Sequence, residues 1–262
     1  MEVKELLIIP QLQQMDEFLA LAKKYRAGFE YNDFFLPAML DDEKALTQRI
    51  NEYQKYMQAG EYPSYCNLHG VFLDITIFSD DSRIRKVSDE RIRQSLDIAK
   101  TLQCKSVIFH TNYLANFLLE SYRTNWVSRN EEYFRQICEE YPELIILMEN
   151  MFDADAVLLV QLAERMKDVP NFGVCFDYAH AHVFGHADKI MEWVEQLSPY
   201  TKHLHINDNH LICDDHLALG DGKLDWNQFK ECYKTYFSHA SVLLEVSGFE
   251  KAEKSLQFLK NL

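Results

Sequence analysis

Residues 144–150 read LIILMEN, a run of five apolar residues followed by a glutamate and an asparagine. An uninterrupted apolar run of this length is typical of a strand buried on both faces, as in a parallel sheet covered by helices. Glu149 ends the run, and a carboxylate in an apolar strand is costly unless it is paired, protonated or bound to a cation. The stretch therefore predicts a buried parallel strand that ends in a functional residue.

The same pattern recurs on both sides of this stretch, with short apolar runs separated by longer amphipathic segments. The other runs are ELLIIP (5–10), GFEYN (28–32), YCNLH (65–69), SVIFH (106–110), FGVCFD (172–177), KHLHIN (202–207) and SVLLEV (241–246). The clearest helical segments are MDEFLALAKKYR (15–26), SDERIRQSLDIAKTLQ (88–103), SRNEEYFRQICEEY (128–141) and DADAVLLVQLAERMKD (153–168). Ser88, which acidic residues follow, is the expected N-cap of the second of these helices.

Eight strand–helix pairs in 262 residues predict an α/β fold, a single (β/α)₈ TIM barrel domain spanning residues 1–262. A doubly wound open sheet is the alternative, although no GxGxxG turn follows the first strand. The longest predicted loops, 70–87, 111–127 and 207–224, all follow strands. In a barrel such loops surround the face on which the C-terminal strand ends meet.

Charge and cysteine content narrow the function classes. The 27 Lys and Arg against 41 Asp and Glu give 27 − 41 = −14, which disfavours a protein that binds nucleic acid or anionic membrane. The six cysteines form no CxxC pair and predict buried free thiols in a reducing compartment. The N-terminal MEVKELLIIP does not resemble a signal peptide, and no apolar run is long enough to span a bilayer. We expect a cytoplasmic protein.

Nine residues with side chains that bind metals stand at or just past the ends of apolar runs, or in the loop after the seventh run. They are His69, His110, Glu149, Asp177, His180, His205, Asp214, His216 and Glu245. Singly, each has an ordinary alternative, such as a hydrogen-bonded core histidine, a helix cap at Asp177, or a solvated loop around Asp214. Jointly, their placement on one barrel face favours a metal site. Oxygen and imidazole donors without a thiolate favour Mn²⁺ or Zn²⁺.

Two neighbouring positions carry further candidates. His203 and His205 share one strand face because side-chain direction repeats every two residues. His205, nearer the strand end, is the expected metal ligand, and His203 is expected to bind substrate or to fill a barrel layer. Glu30 and Asp33, after the second strand, are candidate polar groups for a hydroxylated ligand. Aromatic residues are candidates for the pocket wall: Phe34, Phe35, Phe72, Tyr113 and Trp126.

Four motifs, HGVFLDI (69–75), FDYAHA (176–181), HLHIND (203–208) and DHLALGDGKLDW (215–226), resemble the xylose isomerase-like TIM barrels. This group includes sugar isomerases and epimerases as well as endonuclease IV, and the resemblance covers nearly the whole chain. For the isomerases and epimerases it implies one divalent metal held by Glu149, Asp177, His205 and Glu245. In the endonuclease branch a three-zinc cluster adds the remaining five candidates: His69, His110, His180, Asp214 and His216.

The resemblance leaves two activities open. A sugar or sugar-phosphate isomerase or epimerase would transfer protons through a metal-stabilised enediolate, with Glu149 and Glu245 as the acid–base pair and no organic cofactor. The residues expected to bind its substrate are Glu30, His69, His110, His180 and His203. The alternative is a zinc phosphodiesterase that cleaves DNA at abasic sites.

The two branches differ in what they require. The full set of nine ligands favours the phosphodiesterase, since a one-metal isomerase needs four. The loop EYNDFFLPAMLDDE (30–43) contains no Lys or Arg where a DNA clamp would meet phosphates, and this argues against duplex binding. We therefore predict the isomerase or epimerase, acting on a small sugar; a non-catalytic metal- or sugar-binding module is the third alternative. The sequence leaves the oligomeric state open.

Overall fold

The eight apolar runs form eight parallel strands that close into a barrel. In the computed structural model, which describes residues 1–262, each strand pairs with the next along the chain and the last pairs with the first. The strands are β1 Leu6–Ile8, β2 Ala27–Tyr31, β3 Cys66–His69, β4 Ser106–His110, β5 Ile145–Glu149, β6 Phe172–Asp177, β7 Thr201–Ile206 and β8 Ser241–Leu244. The closed sheet confirms the (β/α)₈ barrel and excludes the doubly wound open sheet.

Every strand is followed by at least one helix, so the strands can all run parallel. The helices are α1 Met15–Tyr25, α2 Pro37–Asp41, α3 Glu43–Gln58, α4 Ser82–Thr101, α5 Glu120–Glu140, α6 Val157–Arg165, α7 Tyr178–Val183, α8 Ile190–Leu197, α9 Trp226–Cys232 and α10 Phe249–Asn261. Short 3₁₀ turns precede α1 and α8, and a π-helical turn, Tyr233–Phe237, follows α9. No helix combines the length and the apolar character needed to cross a bilayer.

The start of α4 differs from the prediction. The helix begins at Ser82, and the side chain of Asp81 accepts a hydrogen bond from the Arg83 amide at 2.8 Å. Ser88 is buried inside the helix, where its hydroxyl accepts a hydrogen bond from the Thr76 amide at 2.9 Å. The prediction of Ser88 as an N-cap is therefore wrong: no Gly or Pro interrupts residues 82–87, and the helix extends back to the better-placed aspartate.

The apolar core lies mainly between the barrel and its helices, where a continuous cluster of 66 buried hydrophobic residues forms. Inside the barrel there are only two small apolar groups, one built by Leu7, Ile9 and Leu243 and the other by Ile108, Leu147 and Cys175. Much of the remaining barrel interior is therefore polar. Since a buried polar layer needs partners, the interior itself indicates where the functional site lies.

Candidate metal centre

Strand periodicity explains why three predicted ligands meet. His110, Glu149 and Asp177 are the last residues of β4, β5 and β6. Each stands two residues after a member of the interior apolar group Ile108, Leu147 and Cys175. Because side-chain direction repeats every two residues, the three donors occupy the next layer toward the C-terminal mouth. Sheet register then pairs His110 with Glu149 and Asp177 with His205 on neighbouring strands.

The first group of donors consists of His69, His110 and Glu149, all buried. The Nδ1 of His69 lies 3.0 Å from the carbonyl of Gly70, which fits an N–H donor, so its Nε2 presents a lone pair. That Nε2 lies 3.1 Å from Nε2 of His110, and Glu149 Oε2 lies 3.3 Å from the latter atom. Lone pairs and a carboxylate facing one another require a shared proton or a cation.

The second group surrounds His205, whose Nδ1 lies 3.2 Å from Glu149 Oε2 and 3.7 Å from Glu245 Oε1. Glu149 ends β5 and Glu245 directly follows β8, so the barrel itself sets their separation. Both oxygens of Glu149 and Oε2 of Glu245 are buried without a hydrogen-bond partner. Buried carboxylate oxygens that lack donors are costly unless a cation occupies the space between them.

Asp177 belongs to this second group and also caps α7. One carboxylate oxygen, Oδ1, accepts a hydrogen bond from the His180 amide, while Oδ2 is buried without a hydrogen-bond partner. Helix capping therefore uses one oxygen and leaves the other for a ligand. One donor atom from each of Glu149, Asp177, His180 and Glu245 lies within 4.8 Å of the others.

The third group joins β6 to the loop after β7. His180 Nε2 and His216 Nε2 approach the same atom, Asp214 Oδ2, at 3.2 and 2.8 Å. The Nδ1 atom of each histidine lies 2.9 Å from a backbone carbonyl, that of Asn150 or that of Glu245, so both rings are oriented from behind. The backbone of His216 is left-handed, with φ of 46°. This conformation is unfavourable for residues other than glycine, and such strained residues cluster at functional sites.

The pKa shifts in the three groups show that their buried carboxylates need nearby positive charge to remain ionised. Burial would raise the pKa of Glu149, but His205 and His110 outweigh it and hold the pKa well below its ordinary value. Burial would lower the pKa of His216, yet Glu245 and Asp214 raise it to about 10. Burial raises the pKa of Asp177 well above its usual range. Without a metal, protons must supply the positive charge that these carboxylates require.

This donor set fits divalent metal ions. It combines five imidazoles with four carboxylates, and several of the carboxylate oxygens have no hydrogen-bond partner. Cys175 lies near His203 and His205, but burial raises the pKa of its thiol well above the usual range, so it does not supply a thiolate. Nitrogen and oxygen donors of this kind suit Zn²⁺ or Mn²⁺. Glu149 contacts histidines of the first and second groups and therefore links them.

Glu30 and His203 lie inside the barrel and are fully buried. Glu30 Oε2 accepts hydrogen bonds from His203 Nε2 at 3.1 Å and from Asn67 Nδ2 at 3.2 Å. Glu30 Oε1 lies 3.0 Å from Nε2 of His205. Their predicted contact with substrate remains a prediction, and Glu30 Oε1 and both ring nitrogens of His205 are buried without a hydrogen-bond partner. Asn67 was not singled out in the sequence, because a lone asparagine in an apolar run gives no signal of its partner.

Asp208 is a second residue that the motifs did not single out. It is fully buried just after β7, and its carboxylate accepts four hydrogen bonds at 2.9–3.2 Å. The donors are the amides of Asn209, Gly220 and Leu224 and the indole of Trp226. A Cβ on Gly222 would lie 2.2 Å from Asp208 Oδ1, so this turn requires glycine. Asp208 thus closes the loop that carries Asp214 and His216.

The mouth of the barrel differs in part from the expected aromatic pocket. Phe72 packs on the donors, with its ring centre 5.6 Å from that of His69 and 5.0 Å from that of His110. Phe34 and Trp126 lie in the core instead, so they do not line a pocket. Asp33 pairs with Arg49 at 3.1 Å.

Five of the six cysteines are buried, as expected, but Cys213 is exposed.

Comparison with known proteins places this geometry in a family. The sequence signature of the xylose isomerase-like TIM barrels matches residues 19–262, and the chain belongs to that family. Protein MJ1311 of Methanocaldococcus jannaschii is 28% identical over 202 residues, which cover 74% of this chain and 68% of that protein.

Two solved structures illustrate the range of similar folds. The TTHB071 protein of Thermus thermophilus, soaked with ZnCl₂, is 23% identical with a TM-score of 0.73, covering 100% of this chain and 97% of that one. A D-allulose 3-epimerase of Methylomonas sp. in complex with D-allulose is 13% identical with a TM-score of 0.71, covering 99% and 98%. At these identities the likeness shows a shared fold.

Proposed function

We propose that the protein is a divalent-metal-dependent isomerase or epimerase of a sugar or sugar phosphate. The observation that carries the proposal is the pair of buried carboxylates, Glu149 and Glu245, on either side of His205 at the C-terminal strand ends. Each contributes an oxygen that lies within 4.8 Å of the other's. Two such carboxylates suit a reaction in which a proton leaves one face of a carbon and a proton is then added to its opposite face, as in an epimerisation, or to the neighbouring carbon, as in an isomerisation.

The proposed division of roles follows from position. Glu149, Asp177, His205 and Glu245 would hold a Mn²⁺ or Zn²⁺ ion, which, when bound, polarises the substrate carbonyl and makes the neighbouring C–H more acidic. Glu149 and Glu245 carry the proton at their unpartnered oxygens. His69, His110 and His180, whose ring nitrogens lie within 3.8 Å of the Glu149 carboxylate, would bind sugar hydroxyls. Phe72 covers two of these histidines and reduces the access of water.

The charge around the mouth supports a small-molecule substrate. The segment from 27 to 43 contains no Lys or Arg, and Arg49, which follows it, is paired with Asp33. A polyanionic duplex would meet this side of the mouth without counter-charges. The net charge of −14 likewise supports the expectation of an enzyme that does not bind nucleic acid or anionic membrane.

Proton exchange with solvent tests the proposal directly. The protein, loaded with Mn²⁺, is incubated with D-tagatose or D-allulose in D₂O, and ¹H NMR follows the loss of the signal from the carbon beside the carbonyl. Metal-dependent exchange at any ketose tested supports the proposal, and a chelator-treated sample is the control. No exchange with a panel of ketoses and their phosphates would refute it.

A second function is favoured by a specific observation, the completeness of the three donor groups. A one-metal isomerase does not need Asp214 and His216. In the structure, however, His180 and His216 both approach the same oxygen of Asp214. A three-zinc phosphodiesterase would use all nine donors, and clustered zinc suits attack on a phosphodiester. Elemental analysis of protein purified without chelator separates the two: one Mn or Zn per chain supports the isomerase, and about three Zn with incision of abasic-site DNA supports the hydrolase.

A further inference from the structure

We infer that Asn207 binds a hydroxyl group of the substrate through its side-chain amide, which has no hydrogen-bond partner within the protein. Asn207 directly follows β7, in the motif HLHIND, and it is neither one of the nine donors nor part of the proposed proton transfer. The inference rests on the proposed function, because it names a group that this site would recognise in a sugar.

The backbone on either side of Asn207 shows which way its side chain points. Ile206 packs in the core outside the barrel, and Asp208 accepts a hydrogen bond from the indole of the first residue of α9. Asp208 also exchanges two backbone hydrogen bonds with Leu217, at 3.0 and 2.8 Å, so the chain stays extended past the end of β7. Because side-chain direction alternates along an extended backbone, Asn207 points into the barrel, one layer beyond His205 toward the mouth.

This position lies beside Glu245. Strands β7 and β8 pair Ile206 with Leu244, and the Glu245 amide donates to the Ile206 carbonyl at 2.9 Å. The next residues along the two strands, Asn207 and Glu245, are therefore neighbours. A group bound by Asn207 would lie next to the carboxylate that is proposed to carry the proton.

The amide of Asn207 is fully buried, and neither its oxygen nor its nitrogen has a hydrogen-bond partner. Asn150, which directly follows β5, shows the contrasting arrangement. Its Nδ2 donates to the Asp177 carbonyl and its Oδ1 accepts from the Asp177 amide, both at 2.9 Å. Since a buried amide without partners costs free energy, Asn207 is the one that needs a ligand: Asn150 ties two strands together, whereas both polar atoms of Asn207 are free.

A free donor beside a free acceptor selects a hydroxyl. A sugar hydroxyl, or two neighbouring ones, can accept from Nδ2 and donate to Oδ1. A phosphate dianion or a carboxylate only accepts, so it would leave Oδ1 unpaired. The charge of the mouth agrees, because Lys223 is the only basic residue in the loops that join each strand to the helix after it.

The substitution Asn207→Leu, which replaces the amide by an apolar group of similar shape, tests the inference in the manganese-loaded protein. Proton exchange with D-tagatose and D-allulose gives kcat/KM. We expect kcat/KM to fall about 10- to 100-fold in the variant, because the substrate hydroxyl loses its partners. Analogues of these ketoses that each lack one hydroxyl are then compared. For the analogue without the bound hydroxyl, the wild type should fall to about the value of the variant, and the variant should lose nothing further.

Thermal unfolding of the protein without metal or sugar separates substrate binding from a structural role. Asn207→Leu should keep or raise the melting temperature, since it removes a buried amide that has no partner. Asn150→Leu is the matched control, and it should lower the melting temperature because it breaks both hydrogen bonds to Asp177. The number of metal ions per chain should be the same in Asn207→Leu and in the wild type.

The outcomes separate this inference from the proposed function. Exchange by the wild type with unchanged kcat/KM in Asn207→Leu would overturn the inference alone, and would mean that the amide meets only a water molecule. A lower melting temperature or a lower metal content in Asn207→Leu would also overturn it alone, because the amide would then serve folding or metal binding. No exchange by the wild type with any ketose would refute the proposed function and, with it, this inference.

If Asn207→Leu does not fold, Asn207→Ala takes its place, because alanine adds no bulk to the barrel. The same losses of kcat/KM and the same comparison with the analogues are expected. If neither variant folds, the amide is required for folding and the inference is overturned.

Discussion

The substitution Asp208→Asn tests whether one buried carboxylate holds the loop that separates a one-metal from a three-metal site. Oδ1 of Asp208 accepts the amides of Asn209 and Leu224, and Oδ2 accepts the Gly220 amide and the Trp226 indole. An asparagine has the same shape but places an NH₂ group where one of these oxygens stood. Whichever way the amide turns, two N–H donors then face another donor.

The expected cost follows from those two lost bonds. A hydrogen bond to a charged group contributes about 1.5–3 kcal/mol, so two losses amount to about 3–6 kcal/mol. The amide is cheaper to bury than the carboxylate, which offsets part of this loss, and we expect a net destabilisation of about 3 kcal/mol. For a chain of this size that corresponds to a fall in melting temperature of about 6–12 °C.

Urea unfolding of the metal-free variant and wild type at pH 7 measures this difference. Asp225→Asn is the control, because Asp225 is an exposed helix cap in the same region, bonded to the amides of Asn227 and Gln228. That change should cost less than about 1 kcal/mol, since Asn and Asp cap helices equally well. If Asp208→Asn is no more destabilising than the control, the carboxylate does not hold the loop and the reasoning is refuted.

Three further predictions concern the site and its surroundings. Glu245→Gln should lower turnover by at least about 10²-fold while circular dichroism shows an intact barrel; unchanged turnover would remove Glu245 from the acid–base pair. Burial raises the pKa of Asp153 to about 6 from 3.8, so its ionisation reduces stability as pH rises from about 4 to 6. Asp153→Asn should therefore stabilise the protein at pH 8 by up to about 3 kcal/mol and by nothing at pH 3, measured by denaturant unfolding. Metal at about 100 times its Kd stabilises the folded protein by about 2.7 kcal/mol, so it should raise the melting temperature by about 5–11 °C, and a chelator should reverse the rise.

The parts of the structure that were predictable are those in which sequence spacing determines position. Each apolar run forms a strand, and most of the strand ends lie within about one residue of the predicted ones, because a barrel strand buried on both faces has a distinctive apolar composition. The period of two then placed His110, Glu149 and Asp177 in one layer. The start of α4 was not predictable in this way, because Ser88 has the local properties of a cap but is needed as an acceptor for the distant Thr76 amide.

The hydrogen-bond partners that support the donors were also beyond the sequence. Glu30 and His203 are 173 positions apart, and only closure of the barrel brings them within 3.1 Å. Asp208 follows β7 in a polar stretch, where nothing local distinguishes a buried hub from a solvated aspartate. Contacts of this kind depend on which strands become neighbours, and a single sequence contains no signal for them.

The nine donors differ in how firmly the fold holds them, and this difference bears on the number of metals. His69, His110, Glu149, Asp177 and His205 lie in strands, and His180 and Glu245 are one to three residues beyond a strand end. Asp214 and His216 lie in a long loop, and the hydrogen bonds of Asp208 tie that loop to the barrel. Loss of the loop would leave the second group intact and the third group with His180 alone. The number of metal ions per chain in Asp208→Asn, compared with the wild type, therefore distinguishes the two activities. If the variant holds fewer ions than the wild type, the loop residues are metal ligands, as a three-zinc hydrolase requires. If the wild type and the variant both hold a single ion, only the residues at the strand ends bind it, as in the proposed isomerase.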